Sequence, residues 1–180
     1  MDNQQALIKK SSINYGLILG GILAISSAIM YAVNVELFTK WWLGIIFFLI
    51  ALFTGIVSVA KSKSLLGGFM SFKQAFTAYF ITIAIGLFIG VVVSILIFAF
   101  LDPGAADYLN EQAMIMQESI LKRFGTPEAE IERQMAAMEG KNNYSLGNQL
   151  LGYVFQLAFY SLFGLLVALI MKRKDPNAIN

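Results

Sequence analysis

The chain has 180 residues, of which 58% are hydrophobic and only 13% are charged, and its formal net charge is +2. A soluble domain needs more polar surface than this composition supplies, so the sequence predicts a membrane protein. The chain contains no cysteine and no histidine. It therefore has no residues for disulfides, thiol nucleophiles or histidine-based metal, haem and proton-transfer sites.

Four stretches of the chain contain no Asp, Glu, Lys or Arg. Each is long enough, as a helix, to cross a hydrocarbon core about 30 Å thick. A charge near the centre of a span costs about 2.5–3.5 kcal/mol, so uncharged runs of this length are typical of transmembrane helices. We therefore predict an all-α, polytopic four-helix bundle in a single membrane domain, residues 1–180. The predicted transmembrane spans are residues 13–34, 41–60, 72–101 and 146–171.

The first span has an alternative interpretation as a cleaved signal peptide, because Lys9 and Lys10 precede its apolar run. The run is longer than the apolar region of a typical signal peptide, and no convincing small-x-small cleavage site follows it. We therefore expect an uncleaved transmembrane helix.

The basic residues divide unequally between the two sides of the membrane. The side that carries residues 102–141 receives five basic and nine acidic residues, whereas the other side receives only two acidic residues, Asp2 and Asp175. Because basic flanks stay in the cytoplasm, we predict that the second side is cytoplasmic and holds both termini. Its eight basic residues are Lys9, Lys10, Lys61, Lys63, Lys73, Lys172, Arg173 and Lys174.

The third span is preceded by the segment GGFMSFKQAF, residues 67–76, in which two glycines permit a sharp reversal. Ser71 and Gln74 have the spacing of a capping box, which predicts that a helix begins at Ser71. Phe69 and Phe72 leave two interpretations open. They either anchor a re-entry turn in the membrane interface or form a cytoplasmic loop that docks a partner.

Residues 102–141 form the only sizeable segment outside the predicted spans, and they are predicted to fold as a helical hairpin. Asp102-Pro103 supplies an N-cap and a first-turn proline, and Thr126-Pro127 repeats this pattern for the second helix. We expect the apolar stripes of the two helices to pack against each other or to rest on the membrane surface. The stripes are Leu109, Ala113, Met116 and Ile120 in the first helix and Ile131, Met135 and Met138 in the second.

This layout resembles a bacterial family of membrane proteins of unknown function, domain of unknown function 4199. The resemblance covers nearly the whole chain. It depends on the GFMSFKQAF segment, on the Asp102-Pro103 start of the acidic hairpin and on the Lys172-Arg173-Lys174 end of the last span. It implies a bacterial inner-membrane protein. The family has no assigned activity, so the resemblance implies no catalytic residue.

Small residues recur at every fourth position in the first and third spans, where they include Gly16 and Gly20, and Gly86 and Gly90. Such stripes let helix backbones approach closely, which is how helices gain contacts in lipid. They either pack the two helices together within one chain or join two copies of the chain. We expect packing within the chain, because four helices must first find partners there.

Gln156 is a polar residue inside the fourth predicted span, on one face with Gly152, Tyr160 and Gly164. A buried amide in lipid needs hydrogen-bond partners, so we expect this face to point into the bundle. The amide then either makes an interhelical hydrogen bond or lines a polar site for a small ligand or permeant.

These observations predict a non-enzymatic structural or accessory subunit of the inner membrane. The alternative is a small transport or permeation component that acts as an oligomer, although the four uncharged stretches contain no Asp, Glu, Lys or Arg. The sequence offers no catalytic residues, no cofactor-binding site, no metal site and no nucleic-acid surface. The expected partners are the lipid bilayer and either a protein partner or a second copy, bound through the small-residue faces.

Overall fold

The computed structural model describes residues 2–173, which are mostly helical and contain no β-strand. A single backbone bridge within this range joins Met70 and Arg173. Lys174 and Asp175, two of the residues behind the orientation prediction, lie outside the described residues. The helices are α1 (Asp2–Val33), α2 (Trp41–Leu65), α3 (Phe72–Ile95), α4 (Pro103–Arg123), α5 (Glu128–Met138) and α6 (Leu146–Met171).

Four helices are long and apolar enough to cross a membrane, which confirms the all-α, polytopic fold. They cover Asn3–Val33, Trp41–Leu65, Phe72–Leu101 and Leu146–Met171. Two of them extend beyond the predicted spans, because α1 begins at Asp2 and α2 continues to Leu65. A helix satisfies its own backbone hydrogen bonds, so it can continue past the membrane surface into water.

Helix α3 is central and packs against α1, α2 and α6. Tyr79 of α3 is completely buried, and its ring lies against Gly55 of α2 and Gly164 of α6. A Cβ atom at either glycine would come within 2.5–2.6 Å of the ring. Both glycines are therefore needed to seat the tyrosine between the three helices.

The start of α3 is held by the predicted capping box, which is confirmed. Ser71 Oγ accepts a hydrogen bond from Gln74 N at 3.2 Å, and Ser71 N donates to Gln74 Oε1 at 2.9 Å. The two preceding glycines have φ angles of 76° and 88°, a conformation that favours glycine. Met70 N donates to Arg173 O at 2.9 Å, and Arg173 N donates to Met70 O at 2.8 Å. These bonds tie the segment before α3 to the end of α6.

The opposite end of α3 continues as a π-helical turn, Leu96–Leu101, in which Asp102 N donates to Ile97 O at 2.7 Å. The turn places Phe98 in the centre of a second apolar cluster, between α1 and α4. Asp102 caps α4 as predicted, accepting from Ala105 N at 2.9 Å, and it also accepts from the hydroxyl of Tyr31 at 3.0 Å. The start of α4 is thereby fixed to α1.

A short 3-10 helix, Val35–Thr39, connects α1 and α2 beneath α4. The hydroxyl of Tyr108 in α4 donates to Glu36 Oε1 at 3.1 Å. Desolvation, followed by this hydrogen bond, raises the pKa of the Tyr108 phenol above its ordinary value. The phenol therefore stays protonated and able to donate at neutral pH.

The predicted apolar stripes of the hairpin do not pack against each other. In the α4 stripe only Leu109 is buried, whereas Ala113, Met116 and Ile120 are exposed. The α5 stripe is buried or half-buried, and α5 contacts α4. The start of α5 also differs from the prediction, because Pro127 is its N-cap residue and no side chain caps it. Contact between the α4 stripe and the membrane surface stays a prediction.

Candidate functional site in the membrane-spanning region

The small residues of the first span lie directly against isoleucines of α3. A Cβ atom at Gly16 would be 2.8 Å from Ile85 Cβ, and a Cβ atom at Gly20 would be 2.4 Å from Ile89 Cδ1. Real Cβ atoms do not approach other carbons this closely, so both positions require glycine. Helix α1 can approach α3 closely because these side chains are missing.

The contact is reciprocal, because glycines of α3 receive leucines of α1. A Cβ atom at Gly86 would be 2.4 Å from Leu19 Cδ2, and Leu19 is completely buried. Gly90 is less constrained, since its Cβ would lie 3.4 Å from Leu23 Cδ1. At Gly16, Gly20 and Gly86 the small-residue faces of the two helices are thus packed against each other.

A cluster of buried hydroxyl groups joins α1, α2 and α3. The hydroxyls of Thr82 and Ser58 are 2.7 Å apart and share a hydrogen bond, and Thr82 Oγ1 lies 3.1 Å from the carbonyl oxygen of Ser12. Two further buried hydroxyls, those of Ser62 and Tyr79, have no hydrogen-bond partner among residues 2–173. The cluster contains no carboxylate, amine or imidazole, so it has no group that ionises near neutral pH.

A groove of about 330 Å³ lies between α2 and α6, on the side of the membrane that carries the hairpin. Its floor is formed by α3 and α1, which contribute Ser94 and Ser27. Its walls are formed by Gly44 of α2 and by Gln156 and Tyr160 of α6. The side chains of all of these residues except Gly44 can form hydrogen bonds. The other residues that line the groove are apolar.

Gln156 is exposed in this groove, and its amide has no hydrogen-bond partner within the described residues 2–173. The residue lies about 15 Å along α6 from Leu146, near the middle of a hydrocarbon core. The expectation that the whole face is buried is wrong for the half nearer the start of α6, because Gly152 is also exposed. Tyr160 and Gly164, one and two turns further on, are buried as expected.

Aromatic rings close the groove towards the opposite end of the helices. The ring of Phe48 in α2 lies 5.1 Å from the ring of Phe163 and 5.5 Å from that of Tyr160. Phe159 joins the same cluster at 6.0 Å from Phe48. The buried hydroxyl of Thr82 is not among the groove-lining residues, so the groove and the hydroxyl cluster are separate.

The α2 wall of the groove has space for a close backbone approach. A Cβ atom at Gly44 would meet no atom within 4 Å. Sequence reasoning placed Ser94 in the small-residue stripe of the third span but did not single out Gly44 or Ser27, because the common position of the three residues depends on how three helices pack. The only signal in the sequence was the presence of small or polar residues in otherwise apolar spans.

The two aromatic residues predicted in the segment before α3 have different environments. Phe69 lies under the guanidinium group of Arg173, which is 5.5 Å from the ring centroid. Phe72 is 39% exposed and stacks on Phe76 with a centroid distance of 6.5 Å. Phe69 is therefore engaged within the chain, whereas Phe72 presents part of its ring to the surroundings.

The described part of the chain contains no group of three carboxylate, histidine or cysteine side chains that could hold a metal ion. In the hairpin, Glu118 forms an ion pair with Lys122 at 2.6 Å, and this hydrogen bond raises the pKa of the Lys122 amine. Both side chains are about half exposed, so the pair contributes little to stability.

These features define an all-α polytopic membrane protein with a polar groove between two of its apolar helices. The chain belongs to the family described as "Protein of unknown function (DUF4199)", whose family model matches residues 14–173. The family prediction made from the sequence is thereby confirmed. No curated protein and no solved structure matches the chain.

Proposed function

We propose that the protein is a non-enzymatic structural or accessory subunit of the bacterial inner membrane, and that its groove receives a transmembrane helix of a partner protein. The observation behind this proposal is the amide of Gln156, which is exposed near the middle of the membrane without a partner among residues 2–173. Lipid tails offer no donor or acceptor, and an unsatisfied polar group in hydrocarbon costs several kcal/mol. A polar side chain on an inserted helix would remove that cost.

The shape of the groove supports a helix as its occupant. Gly44 leaves open space on the α2 wall, and small residues are what allow helix backbones to approach closely in lipid. The hydroxyls of Ser27 and Ser94 on the floor offer further hydrogen-bonding groups at a similar depth. Gly16, Gly20 and Gly86 are packed within the chain, so the proposed partner surface is the groove, which Gly90 of the α3 stripe also lines.

The proposed orientation has the start of α1 and the end of α6 on the cytoplasmic side. Contacts that gather these ends together support it, since Gln74 Nε2 lies 3.5 Å from Gln4 Oε1 and Lys63 Nζ donates to Met171 O at 2.8 Å. The basic residues surround this end of the helices, and the acidic hairpin lies at the other. The positive-inside rule then places the basic end in the cytoplasm.

The two other classes of function receive less support. A transport component would be favoured by a polar cavity running continuously from Gln156 to Thr82, but the aromatic cluster around Phe48 separates the two. An enzyme would need a nucleophile and a base, and the 180 residues contain neither histidine nor cysteine.

Site-specific photocrosslinking in native membranes tests the proposal. A benzophenone amino acid at Gly44 lies in the groove, whereas the same residue at Ile45, its neighbour in α2, does not line the groove and is 49% exposed. We expect a crosslink to another membrane protein from position 44 and not from position 45. Adding Gln156→Leu should strongly reduce the crosslink, because the shared hydrogen bond is lost.

The melting temperature of Gln156→Leu in detergent is the folding control, and we expect it to equal that of the wild type. A fall of several degrees would mean that the amide has a partner within the chain, which contradicts the proposal. Crosslinks only between copies of the chain would assign the groove to a homo-oligomer. If Gln156→Leu leaves the yield of the crosslink unchanged, the amide is not the recognition group.

A further inference from the structure

A second cavity, of about 670 Å³, lies at the opposite end of the helices, between the first turns of α1 and the first turns of α3. Gln5 and Lys9 line it from α1, and Lys73, Gln74 and Thr77 line it from α3. It exists because α1 begins at Asp2 and extends past the start of α3. It shares no lining residue with the groove between α2 and α6.

Two ammonium groups line this one cavity, and none of the residues that line it is acidic. Lys9 and Lys73 are both exposed, and neither forms an ion pair with a carboxylate within residues 3–173. Two other basic residues at this end have partners in the chain, since Lys63 donates to a backbone oxygen and Arg173 lies over Phe69. The cavity therefore brings two positive charges together with side chains that can donate hydrogen bonds.

The cavity lies at the depth of lipid phosphates. Lys9 lies two residues before the uncharged part of α1, and Lys73 directly precedes the uncharged part of α3, so both lie near the boundary of the hydrocarbon core. The lining side chains also differ in polarity. Gln5 and Gln74 carry amides, whereas Ile8 is apolar and only 3% exposed. A molecule that is anionic at one end and apolar at the other fits this arrangement.

We infer that the cavity binds the phosphate group of an anionic membrane lipid between Lys9 and Lys73. The amide side chains of Gln5 and Gln74 can donate to the remaining oxygens of the headgroup, and Ile8 borders the first part of the acyl chains. Hydrogen bonds between an ammonium and a phosphate are charge-assisted and stronger than neutral ones. A soluble phosphate ester shares the headgroup chemistry, and the absence of acyl chains distinguishes it in the experiment.

The experiment is a thermal-shift titration of the purified full chain in neutral maltoside detergent with 150 mM NaCl. The probes are dioleoyl phosphatidylglycerol, dioleoyl phosphatidylcholine and glycerol 1-phosphate at equal concentrations. Salt screens diffuse surface attraction, and the neutral micelle provides no anionic surface. We expect only phosphatidylglycerol to raise the melting temperature, because it alone combines the anionic phosphate with acyl chains. An equal rise with phosphatidylcholine, or with glycerol 1-phosphate, would overturn the assignment to an anionic lipid.

The matched variants are Lys9→Gln/Lys73→Gln and Lys10→Gln/Lys61→Gln, which remove the same charge from the same end of the molecule. Lys10 and Lys61 do not line the cavity. We expect the first pair to weaken the apparent phosphatidylglycerol affinity about tenfold or more, and the second about threefold or less. All four side chains are exposed, so lipid-free melting temperatures should match the wild type. Equal losses in the two pairs would show that binding follows total charge and would refute the site.

Discussion

Substitution of Gly20 tests the packing of α1 on α3, because Ile89 occupies the space that a side chain would need. A Cβ atom at Gly20 would lie 2.4 Å from Ile89 Cδ1 and 2.7 Å from Ile89 Cβ. Carbon atoms in contact are about 3.5–4.0 Å apart. Rotation of the isoleucine can relieve the first clash, but Cβ is fixed to the backbone. The two helices must therefore separate by about 1 Å.

We expect Gly20→Ala to lower the free energy of unfolding by about 1 kcal/mol and Gly20→Leu by about 3 kcal/mol, as overpacking does in close-packed interiors. At about 2–4 °C per kcal/mol for a chain of this size, Gly20→Leu should lower the melting temperature by about 6–12 °C. The assay is thermal loss of helical circular dichroism in mild detergent.

The control for Gly20 is its neighbour Gly21, where a Cβ atom would meet no atom within 4 Å. Gly21→Leu should therefore melt at the wild-type temperature, since its side chain enters open space. A wild-type melting temperature for Gly20→Leu would refute the reasoning, and so would an equal fall for Gly21→Leu. Either result would mean that α1 packs against α3 through a different face.

Three further predictions concern helix ends and topology. Ser71→Ala should lower the free energy of unfolding by about 1 kcal/mol through loss of the capping box, and an unchanged denaturation midpoint would contradict this. Asp102→Ala should lower the free energy of unfolding by about 1–2 kcal/mol, whereas Asp107→Ala, at an exposed position, should leave it unchanged. Equal effects of the two substitutions would mean that the Asp102 cap is unimportant. In spheroplasts, an impermeant thiol reagent should label a cysteine at Glu118 and reach one at Ser64 only after lysis, and the reverse pattern would invert the topology.

The helices and several of their ends could be predicted from sequence because they depend on local chemistry. Uncharged runs predict spans, since a charge in hydrocarbon is costly wherever the run lies in the fold. The box of Ser71 and Gln74 and the cap at Asp102 involve residues within three positions of each other, so their spacing alone indicates them. Local signals were less reliable at Thr126, where a suitable cap residue is present and the cap is not formed.

The side to which each helical face points was decided only by the tertiary structure. In water, an apolar stripe indicates burial. In lipid, the surroundings are as apolar as the protein interior, so periodicity does not distinguish a face that points into the protein from one that points to lipid. Gln156 is therefore exposed in a groove although its face was expected to be buried, and Tyr160 on the same face is buried. The groove and the cavity beside Lys9 and Lys73 are each formed by residues far apart in the chain. The sequence by itself determined the number of apolar helices and their chemistry, whereas the packing around α3 decided which polar groups meet, because interhelical contacts depend on shape and not on polarity.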